Sequence, residues 1–130
     1  TESFYYLYLT RDEAGQKRLN VMQSVLGAVS YPLGAGIAVA DGAMVLRAMV
    51  RYDVLRFGYE QAGAAHWLEP RFDYAVLSDD YAIARNHWRF TGAFVGLCCQ
   101  DCYDHRAHAD FDYFLYRETD KANDMREAEN

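Results

Sequence analysis

No window of this 130-residue chain approaches the uninterrupted apolar length of a membrane span, and its first residues, Thr1-Glu2-Ser3-Phe4, hold neither a basic nor an apolar leader stretch. The chain therefore reads as soluble, with no membrane partner expected. Positive charge is scarce as well: Lys and Arg total 13 against 19 Asp and Glu, for a formal net charge of -6. A phosphate backbone requires a basic stripe, so nucleic acid is not an expected partner. Cysteine is sparse and badly placed for cross-linking, with three residues clustered at Cys98, Cys99 and Cys102. Adjacent cysteines on a strand point to opposite faces and do not pair with each other, which excludes a disulfide framework and favours a reducing, cytoplasmic setting. There is no internal repeat and no domain linker. One domain over residues 1–118, followed by a polar tail at 119–130, accounts for the length.

What is abundant is aromatic surface: 52% of the residues are hydrophobic and 15% aromatic, with 11 Tyr and 7 Phe. That content is too high for disorder and suits pleated sheets. Phe4 to Thr10 and Arg18 to Val25 flank the turn residues Asp12-Glu13-Ala14-Gly15 and predict a hairpin. Gly27 to Gly36 reads as a long loop, Gly36 to Val39 as a short strand, and Asp41-Gly42 as a turn. From Ala43 to Tyr52, Met44, Leu46, Ala48 and Val50 alternate with Val45, Arg47, Met49 and Arg51, which predicts a strand with a buried aliphatic face and a wetter arginine face. Leu55, Phe57 and Tyr59 repeat the period in an antiparallel neighbour ending at Ala62-Gly63. Trp67 is expected on a short strand ended by Pro70. Ser78-Asp79-Asp80 predicts the cap of a short helical turn, followed by a polar and aromatic loop, Arg85 to Arg89. Phe90 to Gln100 and Ala107 to Tyr116 are expected to be the last two strands. Regular short strands with turns between them favour an all-β sandwich or barrel.

Three groups of residues invite chemistry. Cys99, Cys102, His105 and His108 have donor types that suit zinc, but real zinc sites separate two ligand pairs by a longer loop, so a strand leading into a turn is the expectation and no metal or cofactor is. Asp110 and Asp112 share a strand face by period two, as a calcium or glycosidase pair would, yet their aromatic neighbours point to a structural strand. No catalytic residue is assigned. Tyr5, Tyr6, Tyr8, Trp67, Trp88 and Phe90 could stack on sugar rings, although strand aromatics mostly pack in cores and interfaces. Trp88 and Phe90 differ because they flank a polar loop, and Trp88 is a candidate sugar contact.

The wording of Phe90-Thr-Gly-Ala-Phe-Val-Gly-Leu-Cys-Cys-Gln-Asp101 and Ala109-Asp-Phe-Asp-Tyr-Phe-Leu-Tyr116, preceded in order by Phe4 to Glu13, Pro32-Leu33, Val50 to Asp53, Leu55 to Tyr59, Trp67 and Val76 to Ala82, resembles one family. It is similar to the β-sandwich that follows the catalytic propeller in glycoside hydrolase family 43 β-xylosidases. The resemblance implies a jelly-roll, concanavalin A-like fold and a non-catalytic accessory role beside a five-bladed propeller that holds the catalytic carboxylates. It also implies that an aromatic of the sandwich reaches the rim of the substrate pocket, a position matched best by Phe90 and next by Phe94. A xylo-oligosaccharide is the sugar such a rim would meet. A stand-alone carbohydrate-binding or self-associating module is the competing reading.

Several features depart from the family pattern: Cys102 stands where an aliphatic residue is usual, Leu115 where an acid is usual, and Arg85 to Arg89 resembles an insertion. The family's sandwich also begins with strands upstream of Thr1. Without them Phe4 to Thr10 would be a bare edge, so completion by another chain, as in a homo-oligomer, is expected.

Overall fold

The computed structural model describes residues 2–88 and 92–118. The expected polar tail and Phe90 lie outside these residues. The chain divides into two compact units, residues 1–93 and 94–130.

The first unit holds the regular structure. Strand β1 (Phe4–Arg11) pairs antiparallel with β2 (Lys17–Val25), Leu7 opposite Val21 and Leu9 opposite Leu19. The predicted hairpin therefore forms, and Asp12 builds its turn by accepting from the backbone N–H groups of Ala14 and Gln16, both at 2.9 Å. The expected long loop after β2 contains a short strand β3 (Ala28–Ser30), reached through Leu26 and Gly27, both at positive φ. That is the mirror-image turn whose twist matches an antiparallel pair. Strand β4 (Ile37–Ala38) also pairs with β2, completing a four-stranded sheet. Close approach fixes Gly36 before β4: at φ +86°, a Cβ there would come within 2.7 Å of the Leu19 carbonyl oxygen.

The second sheet runs β5 (Val45–Arg51), β6 (Val54–Gln61) and β7 (Ala64–Asp73), all antiparallel. Pro70 does not end β7, contrary to expectation. It sits where the β6–β7 register slips between Arg56 and Gly58, on an outer strand, and a residue without an N–H is tolerated at such a bulge. A 3₁₀ turn at Tyr74–Leu77 and the helix α1 (Asp79–Ile83) follow. The expected cap is present: the Ser78 hydroxyl accepts from the Tyr81 N–H at 3.1 Å.

Leu19, Val21, Val39, Leu55, Phe57, Leu68 and Phe72 form the core between the sheets, with Tyr5, Leu7 and Tyr59 packed against it. On β6 the predicted inward row is correct. On β5 the burial is the reverse of the expectation: Leu46, Ala48 and Val50 are exposed, whereas Val45, Arg47, Met49 and Arg51 are half-buried. Leu46, Ala48 and Val50 do stand in register with Tyr59, Phe57 and Leu55. But β5 is an outer strand, paired with β6 on one side and with no strand on the other among the described residues. On the opposite face Arg47 packs over Trp67, and Arg51 lies over Tyr52.

In the second unit the described residues 94–118 contain no strand, so the two strands expected over Phe90 to Gln100 and Ala107 to Tyr116 are absent from the described residues. Period two signals strand propensity, but a strand exists only where a neighbour accepts its hydrogen bonds. Phe94, Leu97, Phe111, Tyr113, Phe114 and Tyr116 are exposed here. What organises the unit is Asp101, whose carboxylate accepts from the N–H groups of Tyr103, Arg106 and Ala107 at 2.9 to 3.0 Å. Those bonds, the one from Ala107 foremost, hold the Asp101 carboxyl well below the usual carboxylate range.

Candidate functional site

The loop after α1 carries the one predicted sugar contact that is both described and open to solvent. Trp88 is 79% exposed. Its loop is fastened on two sides. His87 Nδ1 lies 2.6 Å from the Glu2 carboxylate, and the His87 N–H donates to the Ala82 carbonyl at 2.9 Å. Further on, the Gly92 N–H donates to both carboxylate oxygens of Asp79, at 3.1 and 3.0 Å. Within the loop Arg85 lies over the Tyr81 ring at 3.5 Å and donates to the Tyr81 carbonyl, while Asn86 takes the left-handed conformation at φ 64°. The short capped helix thus holds His87 and Gly92, and the Trp88 side chain beside His87 faces water. Phe90, the other rim candidate, belongs to the same segment but lies outside the described residues. Phe94, the alternative, falls in the second unit and is 80% exposed.

The remaining aromatics divide as the sequence suggested, mostly into packing. Tyr5 packs on Phe72 with ring centroids 5.0 Å apart, and its hydroxyl donates to the Asp73 carbonyl. Burial, with the nearby Asp73 carboxylate, pushes the Tyr5 phenol up to about 12. Tyr6 and Tyr8 stack on each other at 5.1 Å, which uses ring faces a sugar would need. Trp67 projects from the outward face of β7, half-buried, with the guanidinium carbons of Arg47 and Arg56 at 5.2 and 5.4 Å from its ring centre. Sequence reading missed this grouping. Its signal was the pairing of a glycine, Gly58, with a tryptophan across two strands, which only a known register reveals.

The two metal-like clusters do not assemble among the described residues. Cys98, Cys99 and Cys102 are exposed free thiols, and no group of three or more His, Cys, Asp or Glu among the described residues could hold an ion. Asp110 and Asp112 share no strand face, since their segment is irregular, and the nearest basic contact is His108 at 3.8 Å from Asp110. Neither acid lies in an enclosed setting of the kind that tunes a glycosidase pair.

Two antiparallel sheets packed around a shared apolar core define an all-β sandwich domain. The comparisons give its lineage. Residues 1–117 match the family described as the beta-xylosidase C-terminal concanavalin A-like domain, and the chain belongs to that family. It is 33% identical to xylosidase/arabinosidase 43B of Humicola insolens, over 96% of this chain and 24% of that protein. It is likewise 33% identical to a putative beta-xylosidase of Escherichia coli, over 89% of this chain and 22% of the relative, and 32% identical to beta-xylosidase of Bacillus subtilis, over 91% and 22%. The chain thus spans less than a quarter of the length of each of these relatives.

Proposed function

We propose that this domain works beside a catalytic propeller in a xylan-degrading β-xylosidase or α-L-arabinofuranosidase, supporting the propeller and lending the Trp88–Phe90 loop to the rim of its sugar pocket. The observation that carries the reading is the exposure of Trp88, 79% of it open to solvent, next to His87, which is held by Glu2 and by the Ala82 carbonyl. Relatives named as xylosidases and arabinosidases supply the substrate class, a neutral pentose oligosaccharide. The domain contributes shape and contact, and the acid and base belong to its partner.

The test is made on the longer polypeptide that carries this chain. Trp88→Ala and Phe90→Ala should each raise KM for xylo-oligosaccharides with the fold unchanged, because an aromatic platform contributes binding and takes no proton. Unchanged KM in both variants overturns the rim role. The isolated chain should give no heat with neutral xylo-oligosaccharides, whereas a saturable titration would favour the stand-alone carbohydrate-binding module.

A further inference from the structure

The outward face of the second sheet gathers arginines around one tryptophan. In its register Arg47, Gly58 and Trp67 form one row, Met49, Arg56 and Arg71 the next, and Arg51, Val54 and Asp73 a third. The Trp67 ring fills the space above Gly58: a Cβ added there would come within 2.7 Å of Trp67 Cε3. Arg47 and Arg56 are held against the ring by cation–π attraction, which removes side-chain freedom before any ligand arrives. Arg71 is exposed and Arg51 half-buried, and among the described residues neither has a carboxylate within ion-pair distance. Three acids stand among these arginines: Glu60 lies 3.7 Å from Arg47, Glu69 is exposed between Trp67 and Arg71 on β7, and Asp73 accepts from the Ala75 N–H. In a chain of net charge -6, this is a local cationic surface built around an aromatic ring.

We propose that this face binds an acidic saccharide, a chain of neutral sugars bearing uronic acid carboxylates. Guanidinium groups take a carboxylate through paired N–H donors, and the Trp67 ring holds two of those groups in place beside the exposed Arg71. Glu60, Glu69 and Asp73 decide between a sugar and an acidic protein partner. A continuous acidic surface would be repelled by them, whereas sugar hydroxyls donate to carboxylates as readily as they accept from arginines. The site uses residues distinct from the Trp88–Phe90 loop and stands whether or not that loop meets a substrate.

Calorimetric titration of the whole chain tests it with three probes: a xylo-oligosaccharide bearing one glucuronic acid, the same oligosaccharide unsubstituted, and polyglutamate. The acidic sugar should bind at least about tenfold tighter than either other probe, as one charge-assisted pairing implies, and weaken as salt rises from about 50 to about 500 mM. Arg71→Gln and Arg51→Gln, both at solvent-reached positions, should each lower its affinity by about tenfold with an unchanged circular dichroism spectrum. Equal binding of substituted and unsubstituted sugar, polyglutamate binding as tightly as the acidic sugar, no binding of the acidic sugar, or indifference to both arginine changes overturns the proposal.

Discussion

The hydroxyl of Tyr5 donates to the backbone carbonyl of Asp73 at 2.7 Å, joining the first strand of one sheet to the last strand of the other across 68 positions of sequence. The same ring packs on Phe72, so one residue supplies both an apolar and a polar link between the layers. Tyr5→Phe keeps the packing and removes the bond. It should cost about 1 kcal/mol, the net worth of an intramolecular hydrogen bond, and urea unfolding of both chains measures it.

Tyr5 also sets an alkaline limit. Its folded value, about 12, lies above the ordinary phenol value of 10.0, so between the two the folded chain holds a proton that the unfolded chain has released. The contribution of Tyr5 is therefore full below pH 10 and falls as pH rises toward 12. Thermal melting followed over that interval should decline less steeply in Tyr5→Phe than in the parent chain. Parallel curves would show that other groups govern the decline.

At the acid end, the Asp12 carboxyl is held below its usual range by the Arg18 guanidinium, 2.8 Å away, and by the Gln16 and Ala14 N–H groups of the first hairpin turn. A depressed carboxyl stabilises the fold above its unfolded value, and that contribution is lost as pH falls through the folded one. Asp12→Asn should flatten the acid side of the stability profile, as read by amide exchange at Gln16 and Ala14.

Gly58 tests the second sheet. A methyl group there meets the His66 carbonyl oxygen and Trp67 Cε3, both at 2.7 Å, and the first of these is backbone that cannot swing away. Gly58→Ala should destabilise the chain by about 1 to 3 kcal/mol, the usual range for overpacking, and displace Trp67 from Arg47. Paired Gly58→Ala and Trp67→Ala changes should recover part of that loss, a coupling that a double-mutant cycle reads directly.

Assembly is the last expectation. Among the described residues β1 pairs with β2 on one side and with no strand on the other, and an open edge rich in tyrosine is a template for a second chain. Light scattering at micromolar concentration should show a dimer, and Lys placed at Tyr6 or Tyr8 should shift it toward monomer. A cooperatively unfolding monomer in the parent chain would refute this.

Local chemistry was legible in the sequence. Turn residues placed the first hairpin, Ser78 announced its cap, and the alternation of Leu55, Phe57 and Tyr59 set the inward row of β6, because each depends on neighbours a few positions away. The order of its aromatic words pointed to the family whose match covers residues 1–117. Tertiary structure alone decided which periodic rows are covered. Leu46 and Val50 have the same alternation as Leu55 and Phe57, yet they lie on an outer strand and stay exposed, while Arg47 packs over a tryptophan two strands away. The same reason separates Phe4–Arg11 from Ala107 to Tyr116: both are rich in aromatics, but only the first finds a hydrogen-bonding strand among the described residues. Propensity is a property of the segment, whereas a sheet and its buried face are properties of the partners it meets.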